Sequence, residues 1–164
     1  MTRSPRTPPV GSEPANPVRV FVGGTFDGLH RGHLYLLEFA RRRGLALAQR
    51  SGRAGVHVSV VVARDDSVRR IKHRAPHHSQ RERCELIAAL KPVDEAFVGA
   101  PNDFIASVRR VNPDLIVLGY DQKASWEDAL RANGIHARVL RGPAYKDRRL
   151  KTSMLRPDLE RMRT

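Results

Sequence analysis

Val18-Arg19-Val20-Phe21-Val22 runs into Gly23-Gly24-Thr25-Phe26-Asp27-Gly28-Leu29-His30-Arg31-Gly32-His33, and the fold follows from how this stretch divides. The first five residues are a short apolar strand. The glycines that follow end it. From Gly32 to Arg43, apolar residues at Leu34, Leu36, Leu37 and Phe39-Ala40 have helical spacing, and Gly44 offers a place to stop. Strand, glycine-rich turn and helix therefore stand in immediate succession.

The same alternation repeats downstream. Val56 to Ala63 is a β-branched, almost wholly apolar strand of the kind buried on both faces of a parallel sheet. Ser79-Gln80-Arg81-Glu82 has capping-box spacing and opens a helix to about Leu90. Further strands are expected at 95–98, 115–119 and 136–140, and further helices over 102–111, from Ser125 to near Asn133-Gly134, and from Ser153 to about Met162. Residues 64–74 read as a loop after the second strand. Residues 45–55 are ambiguous: Leu45-Ala46-Leu47-Ala48 prolongs the helix or belongs to an insertion, and 51–55 is a loop. Five strands alternating with helices mean an α/β fold around a parallel sheet. Ligands in such sheets lie at the carboxyl ends of the strands, at the switch point. Residues 1–17 hold five prolines and little apolar content, so a disordered tail is expected ahead of one domain over 18–164.

Composition narrows the function. The chain has 164 residues, 40% of them hydrophobic, enough for one core. A single cysteine, Cys84, excludes an internal disulfide framework and a multi-cysteine zinc site, and suits a reducing cytoplasm. No apolar run approaches the ~20 residues of a membrane span. The net charge of +13 attracts polyanions, either nucleic acid or small phosphate-rich substrates. The basic residues are dispersed and aromatics are only 5%, which argues against a single-strand groove built on stacking platforms.

The strand exit at Gly23–His33 carries the chemistry. Glycines let a ligand approach the backbone, and a helix N-terminus offers N–H groups and a positive dipole end to phosphate. His30 and His33 flank Gly32 and can face one ligand, donating hydrogen bonds without a permanent charge. The stretch is neither a Walker A loop nor the G-x-G-x-x-G dinucleotide fingerprint. A zinc pair on a helix prefers i, i+4 spacing and a third ligand, and none stands out. Asp27 reads as a metal ligand, directly or through water, or as a turn-stabilising residue. Asn102 is a helix cap or a nucleotide contact. Tyr120 packs against a base or closes a strand in the core. Trp126 is a packing residue or a flavin-stacking one. His73, His77 and His78 resemble a metal cluster but sit on a basic loop.

Gly24-Thr25-Phe26-Asp27-Gly28-Leu29-His30-Arg31-Gly32-His33 resembles the G-T-F-D-x-x-H-x-G-H signature of the cytidylyltransferase-like nucleotidyltransferases. The likeness extends over about 18–156. Val62-Ala63-Arg64-Asp65 with Ile71-Lys72-His73-Arg74 is similar to the loop whose lysine reaches the triphosphate. The run from Arg81-Glu82-Arg83 to Leu90-Lys91-Pro92-Val93-Asp94-Glu95 is similar to E-x-R…L-x-x-V-D-E. Gly119-Tyr120-Asp121-Gln122 resembles the archaeal FAD synthases, the FMN adenylyltransferases, in particular.

The resemblance implies a Rossmann-like, doubly wound, five-stranded parallel sheet. It implies attack of a substrate phosphate on the α-phosphorus of a nucleoside triphosphate. The catalytic residues would be His30, His33 and Lys72. Gly24, Thr25, Phe26, Arg31, Gly32, Asn102, Gly119, Tyr120, Asp121, Thr152 and Ser153 would join the two histidines in binding the nucleotide. Thr152-Ser153 stands where the family has R-x-x-x-I-S-T-T, and Lys146 takes the place of its arginine. FMN and ATP are the expected substrates, with CTP and a phospho-alcohol such as glycerol 3-phosphate as the alternative. Mg²⁺ would shield the triphosphate, and a cytoplasmic homodimer is implied. A reading from another class is a non-catalytic basic protein that binds nucleic acid.

Overall fold

The computed structural model describes residues 16–122 and 126–145. Residues 1–15 of the expected tail, the terminal helix, and Lys146, Thr152 and Ser153 lie outside the described residues, while Pro17, expected in the tail, is buried and accepts from Arg53.

Five parallel strands form one sheet: β1 (Val18–Gly24), β2 (Val56–Val62), β3 (Glu95–Val98), β4 (Leu115–Leu118) and β5 (Arg138–Arg141). Their order is β3-β2-β1-β4-β5. Helices connect them: α1 (Arg31–Ser51), α2 (Asp65–Lys72), α3 (Gln80–Ala88), α4 (Phe104–Val111) and α5 (Trp126–Ala132). The chain winds outward from β1 to β3, then crosses back to β4. The switch point therefore lies between β1 and β4, where a crevice opens at the strand ends.

Strand alternation builds two cores. Val18, Val20 and Val22 face α1 and α3, joined by Val58, Val60, Val62, Leu37, Ala40 and Ile87. Phe21, Val61, Phe97, Ile116 and Leu118 face the other way, against Val108 and Leu130 of α4 and α5. Apolar side chains on both faces are what a parallel sheet with two helical layers requires.

α1 does not stop at Gly44; it runs 21 residues to Ser51. Gly44 is buried, and a Cβ there would stand 2.5 Å from Val56 Cγ2 and 2.6 Å from Val20 Cγ2. The glycine marks a close approach of helix to sheet rather than a cap. The actual C-cap is Gly52, left-handed at φ 65, whose N–H reaches Ala48 O. Most of the suspected insertion is thus helix.

The stretch 64–74, read as a loop, contains α2. Eight residues with only Val68 buried give little apolar periodicity to read. Asp65 and Asp66 stand in its first turn and Arg69, Arg70 and Lys72 in its last, the charge order a helix dipole favours. α3 opens with the expected capping box: Ser79 accepts from Glu82 N–H, and the Glu82 carboxylate accepts from Ser79 N–H at 2.9 Å. α4 is capped by Asp103, which accepts from Ala106 N–H at 2.8 Å; Asn102 is not the cap. No helix of the described residues is long and apolar enough to cross a membrane.

Candidate active site

β1 delivers Gly23 and Gly24 to the crevice, and the turn to α1 then brings His30 and His33 together. Their rings stack with centroids 3.8 Å apart and planes 21° apart. His30 is the N-cap of α1: its Nδ1 accepts from Gly32 N–H at 3.1 Å. A neutral imidazole that accepts at Nδ1 carries its proton on Nε2, so this bond sets Nε2–H as the free donor. Gly32 is required here, since a Cβ would fall 2.9 Å from the His30 ring.

His33 lies one turn further in. Its Nδ1 is buried and has no hydrogen-bond partner among the described residues. Burial, then the charges of His30 and Lys72, push its pKa down to about 4, outweighing Asp121 and Asp27. Burial also lowers His30. Both rings are therefore neutral at neutral pH, donors that a phosphate can meet without first displacing a counter-ion. An edge contact from Phe26, 5.3 Å between centroids, supports His33 from below. Phe26 is buried with φ 54, a left-handed value rare for a bulky residue. A Cβ at Gly24 would come within 2.9 Å of the Phe26 ring, so the glycine makes room for it.

Lys72 ends α2 and approaches from the β2 side. Its residue surface is open, yet the protein around the ammonium, then the Arg74 charge, lowers its pKa, while Asp27 and Asp121 oppose this. His30, His33, Lys72 and Asp121 thus share one electrostatic neighbourhood, drawn from the exits of β1, β2 and β4.

Asp27 is buried and faces the 74–78 loop. Its carboxylate accepts from His77 N–H at 3.0 Å and from His78 N–H at 3.2 Å, and lies 3.6 Å from Arg74. Burial alone would raise its pKa; the two backbone N–H groups, then the His77 and Arg74 charges, hold it below the usual value. A carboxylate so occupied by protein donors does not fit a direct metal ligand. No cluster of three or more His, Cys, Asp or Glu among the described residues has the arrangement to hold a metal ion, and this includes His73, His77 and His78.

Several organising residues carried no assignable role in the sequence. Arg83 is completely buried and donates to Thr25 O, to His78 O at 3.0 Å and to Asp65 Oδ1 at 2.6 Å. One guanidinium therefore joins the exit of β1, the start of α2 and the loop before α3. Sequence marked the Arg81–Arg83 segment only by resemblance, because nothing local distinguishes a buried arginine from a solvated one. Gln122 donates from Nε2 to Gly23 O at 2.8 Å and accepts Gly119 N–H at 3.3 Å, and Arg141 donates to Gly119 O at 3.1 Å.

The remaining candidates divide. Gly119, Tyr120 and Asp121 stand at the β4 exit, across the switch point from Gly24 and Thr25. Tyr120 is 40% exposed, so it is not a core residue. Arg31 opens α1 between the histidines and is exposed. Asn102, beyond β3, accepts from Arg70 Nη1 at 2.6 Å, which ties that turn to α2. Trp126 packs against Phe104 at 4.0 Å, within the second core cluster. The chain after β5 returns to the N-terminus of α1, where Tyr145 meets Tyr35 edge-on at 5.4 Å.

The chain is similar to proteins of known family. The family model described as cytidylyltransferase-like matches residues 21–157. A FAD synthase of Thermococcus onnurineus is 40% identical over 143 residues, covering 84% of this chain and 88% of that protein. A FAD synthase of Methanothermobacter thermautotrophicus is 40% identical over 134 residues, covering 80% and 83%. Among solved structures, a lipopolysaccharide core biosynthesis protein from Thermoplasma volcanium is similar, with TM-score 0.68, 33% identity, and coverage of 79% of this chain and 98% of that one. The chain is an enzyme of the cytidylyltransferase-like family that belongs with its FAD synthases.

Proposed function

We infer that the enzyme transfers an adenylyl group from ATP to FMN, giving FAD and pyrophosphate. The observation that carries the reaction class is the stacked, neutral His30–His33 pair at the N-terminus of α1, with Lys72 sharing its electrostatic neighbourhood. The acceptor and the base are supported by the FAD synthase relatives.

An FMN phosphate oxygen attacks the α-phosphorus; a P–O bond forms there as the bond to the β-phosphate oxygen breaks. The attacking group is already an anion, so no general base is needed. Rate then comes from positioning and from neutralising charge on the α-phosphate and the departing pyrophosphate. His30 donates from Nε2, His33 donates beside it, and the α1 N-terminus adds its dipole. Lys72 contributes a point charge. Gly24, Thr25 and Phe26 shape the near wall, and Arg31 and Gly32 continue it into the helix. Gly119, Tyr120 and Asp121 take the base and ribose, and Asn102 contacts the nucleotide from the β3 side. Thr152 and Ser153 bind the outer phosphates. Mg²⁺ would arrive with the triphosphate and would neutralise part of its charge. The active species is a cytoplasmic homodimer.

The test is incubation with Mg²⁺ and either ATP plus FMN or CTP plus glycerol 3-phosphate, with pyrophosphate and FAD measured. FAD from the first pair, lost in His30→Ala and His33→Ala, is expected. Product only with CTP would overturn the adenylyl reading. Gel filtration showing a concentration-independent monomer would overturn the dimer.

A further inference from the structure

The ladder between β1 and β4 pairs Val20 with Leu115, Phe21 with Ile116 and Val22 with Val117, and goes no further. Beyond it, the crevice opens. At that point the Gln122 amide takes over the backbone's role. Its Nε2–H reaches Gly23 O on the β1 side, and its Oε1 accepts Gly119 N–H on the β4 side. The amide thus spans the switch point as one more rung. Arg141, at the end of β5, closes the same turn from behind: Nη1 donates to Gly119 O and to Gln122 O. The turn is completed by Gln122 N–H on Gly119 O at 3.2 Å. Between these pinned ends stand Tyr120 and Asp121, both exposed.

We propose that Gln122 and Arg141 are positioning residues for the nucleoside half of the nucleotide, holding the Gly119–Gln122 turn in a preformed shape without touching the phosphates. The proposal rests on the reading that this turn receives base and ribose. Two bonds set by one amide and two more by one guanidinium leave the turn little freedom, so ATP need not order it on binding. Loosening the turn charges that ordering cost to the nucleoside alone. The triphosphate, held at α1 and Lys72, would not feel it.

The experiment compares ATP with tripolyphosphate, which has the phosphates and neither base nor ribose. Calorimetry gives the affinity of each for the full-length wild type, Gln122→Glu, Arg141→Met and Arg141→Lys. Gln122→Glu is isosteric and turns the donor facing Gly23 O into an acceptor. Arg141→Met keeps the stem and removes the donors. We expect ATP to weaken about tenfold in Gln122→Glu and Arg141→Met, a difference of ~1.4 kcal/mol. Tripolyphosphate should change less than about twofold, and Arg141→Lys should recover part of the loss. In steady-state assays the KM for ATP should rise with kcat largely kept. Equal losses for ATP and tripolyphosphate, or no loss for either, would overturn the proposal. If Gln122→Glu fails to fold, the two Arg141 variants give the same reading. Failure of the FMN reading shows separately, as absence of FAD from the wild type, while the binding comparison still reads out.

Discussion

His30 faces His33 ring to ring at 3.8 Å while its own Nδ1 caps the helix on which His33 stands. One side chain therefore performs two separable tasks, closing the helix and presenting Nε2–H. His30→Asn retains a good N-cap but lacks the Nε2 donor. It should melt near the wild-type temperature yet lose about 10²–10³ in kcat. His30→Ala should lose the same activity and in addition ~1 kcal/mol of stability. Thermal melts beside steady-state rates check both; equal melting temperatures for the two variants would contradict the capping role.

The His33 pKa of about 4 makes a stability prediction with a definite sign. In the unfolded chain the ring titrates near 6.5. Above that value it is neutral in both states and costs nothing. As pH falls from 6.5 towards 4, the unfolded chain takes up a proton that the native site refuses, so stability declines. Melting temperature should hold above pH 7 and fall on acidification, and His33→Asn should reduce the slope. Because the working form is the neutral ring, kcat/KM for ATP should show no alkaline fall between pH 7 and 8.5 that is traceable to either histidine. A fall with a midpoint near 7 would mean that imidazolium is the active form.

Arg83 should be worth more than its distance from the crevice suggests. Removing its guanidinium strands the Asp65 carboxylate and two carbonyl oxygens around an empty volume. Arg83→Ala should destabilise by about 3 kcal/mol, the low end for a broken buried pair because the Asp65 side chain keeps 24% of its surface in solvent. Arg83→Lys keeps one charge-assisted bond at most and should fall between. Denaturant titration measures both. A loss under ~1 kcal/mol for Arg83→Ala would show that the three segments are held by other contacts.

Gly44→Ala is a mild change by helix propensity and a severe one by packing. The added methyl meets Val20 and Val56 at distances below contact. Helix propensity would favour alanine by ~1 kcal/mol. Overpacking costs about 1–3 kcal/mol, so a net destabilisation is expected, relieved in the double variant with Val56→Ala. A more stable single variant would place the helix further from the sheet.

The parallel α/β fold was legible in the sequence because its evidence is local. Val56–Val62 is rich in β-branched residues, Leu115–Leu118 is apolar on both faces, Ser79 and Glu82 have the spacing of the box they form, and the ten residues Gly24–His33 carry the family signature. Gly44, α2 and the cap of α4 were misread for a shared reason. A glycine at a helix–sheet contact looks like a glycine at a helix end. A short polar helix has no stripe to count. An Asn followed by an Asp offers two caps, and only the backbone angles choose.

What the sequence determined by itself was the alternation of strands and helices and the family signature at Gly24–His33, since propensity, capping and motif spacing act over a few neighbours. What only the tertiary structure decided was what holds them in place. Arg83 gathers segments 58 residues apart, and Gln122 bridges 99 residues to Gly23. Those partners are set by the β1–β4 crossover and by burial, which leave no pattern along the chain. The His33 charge state follows from the same enclosure, because a ring is kept neutral by what surrounds it in space.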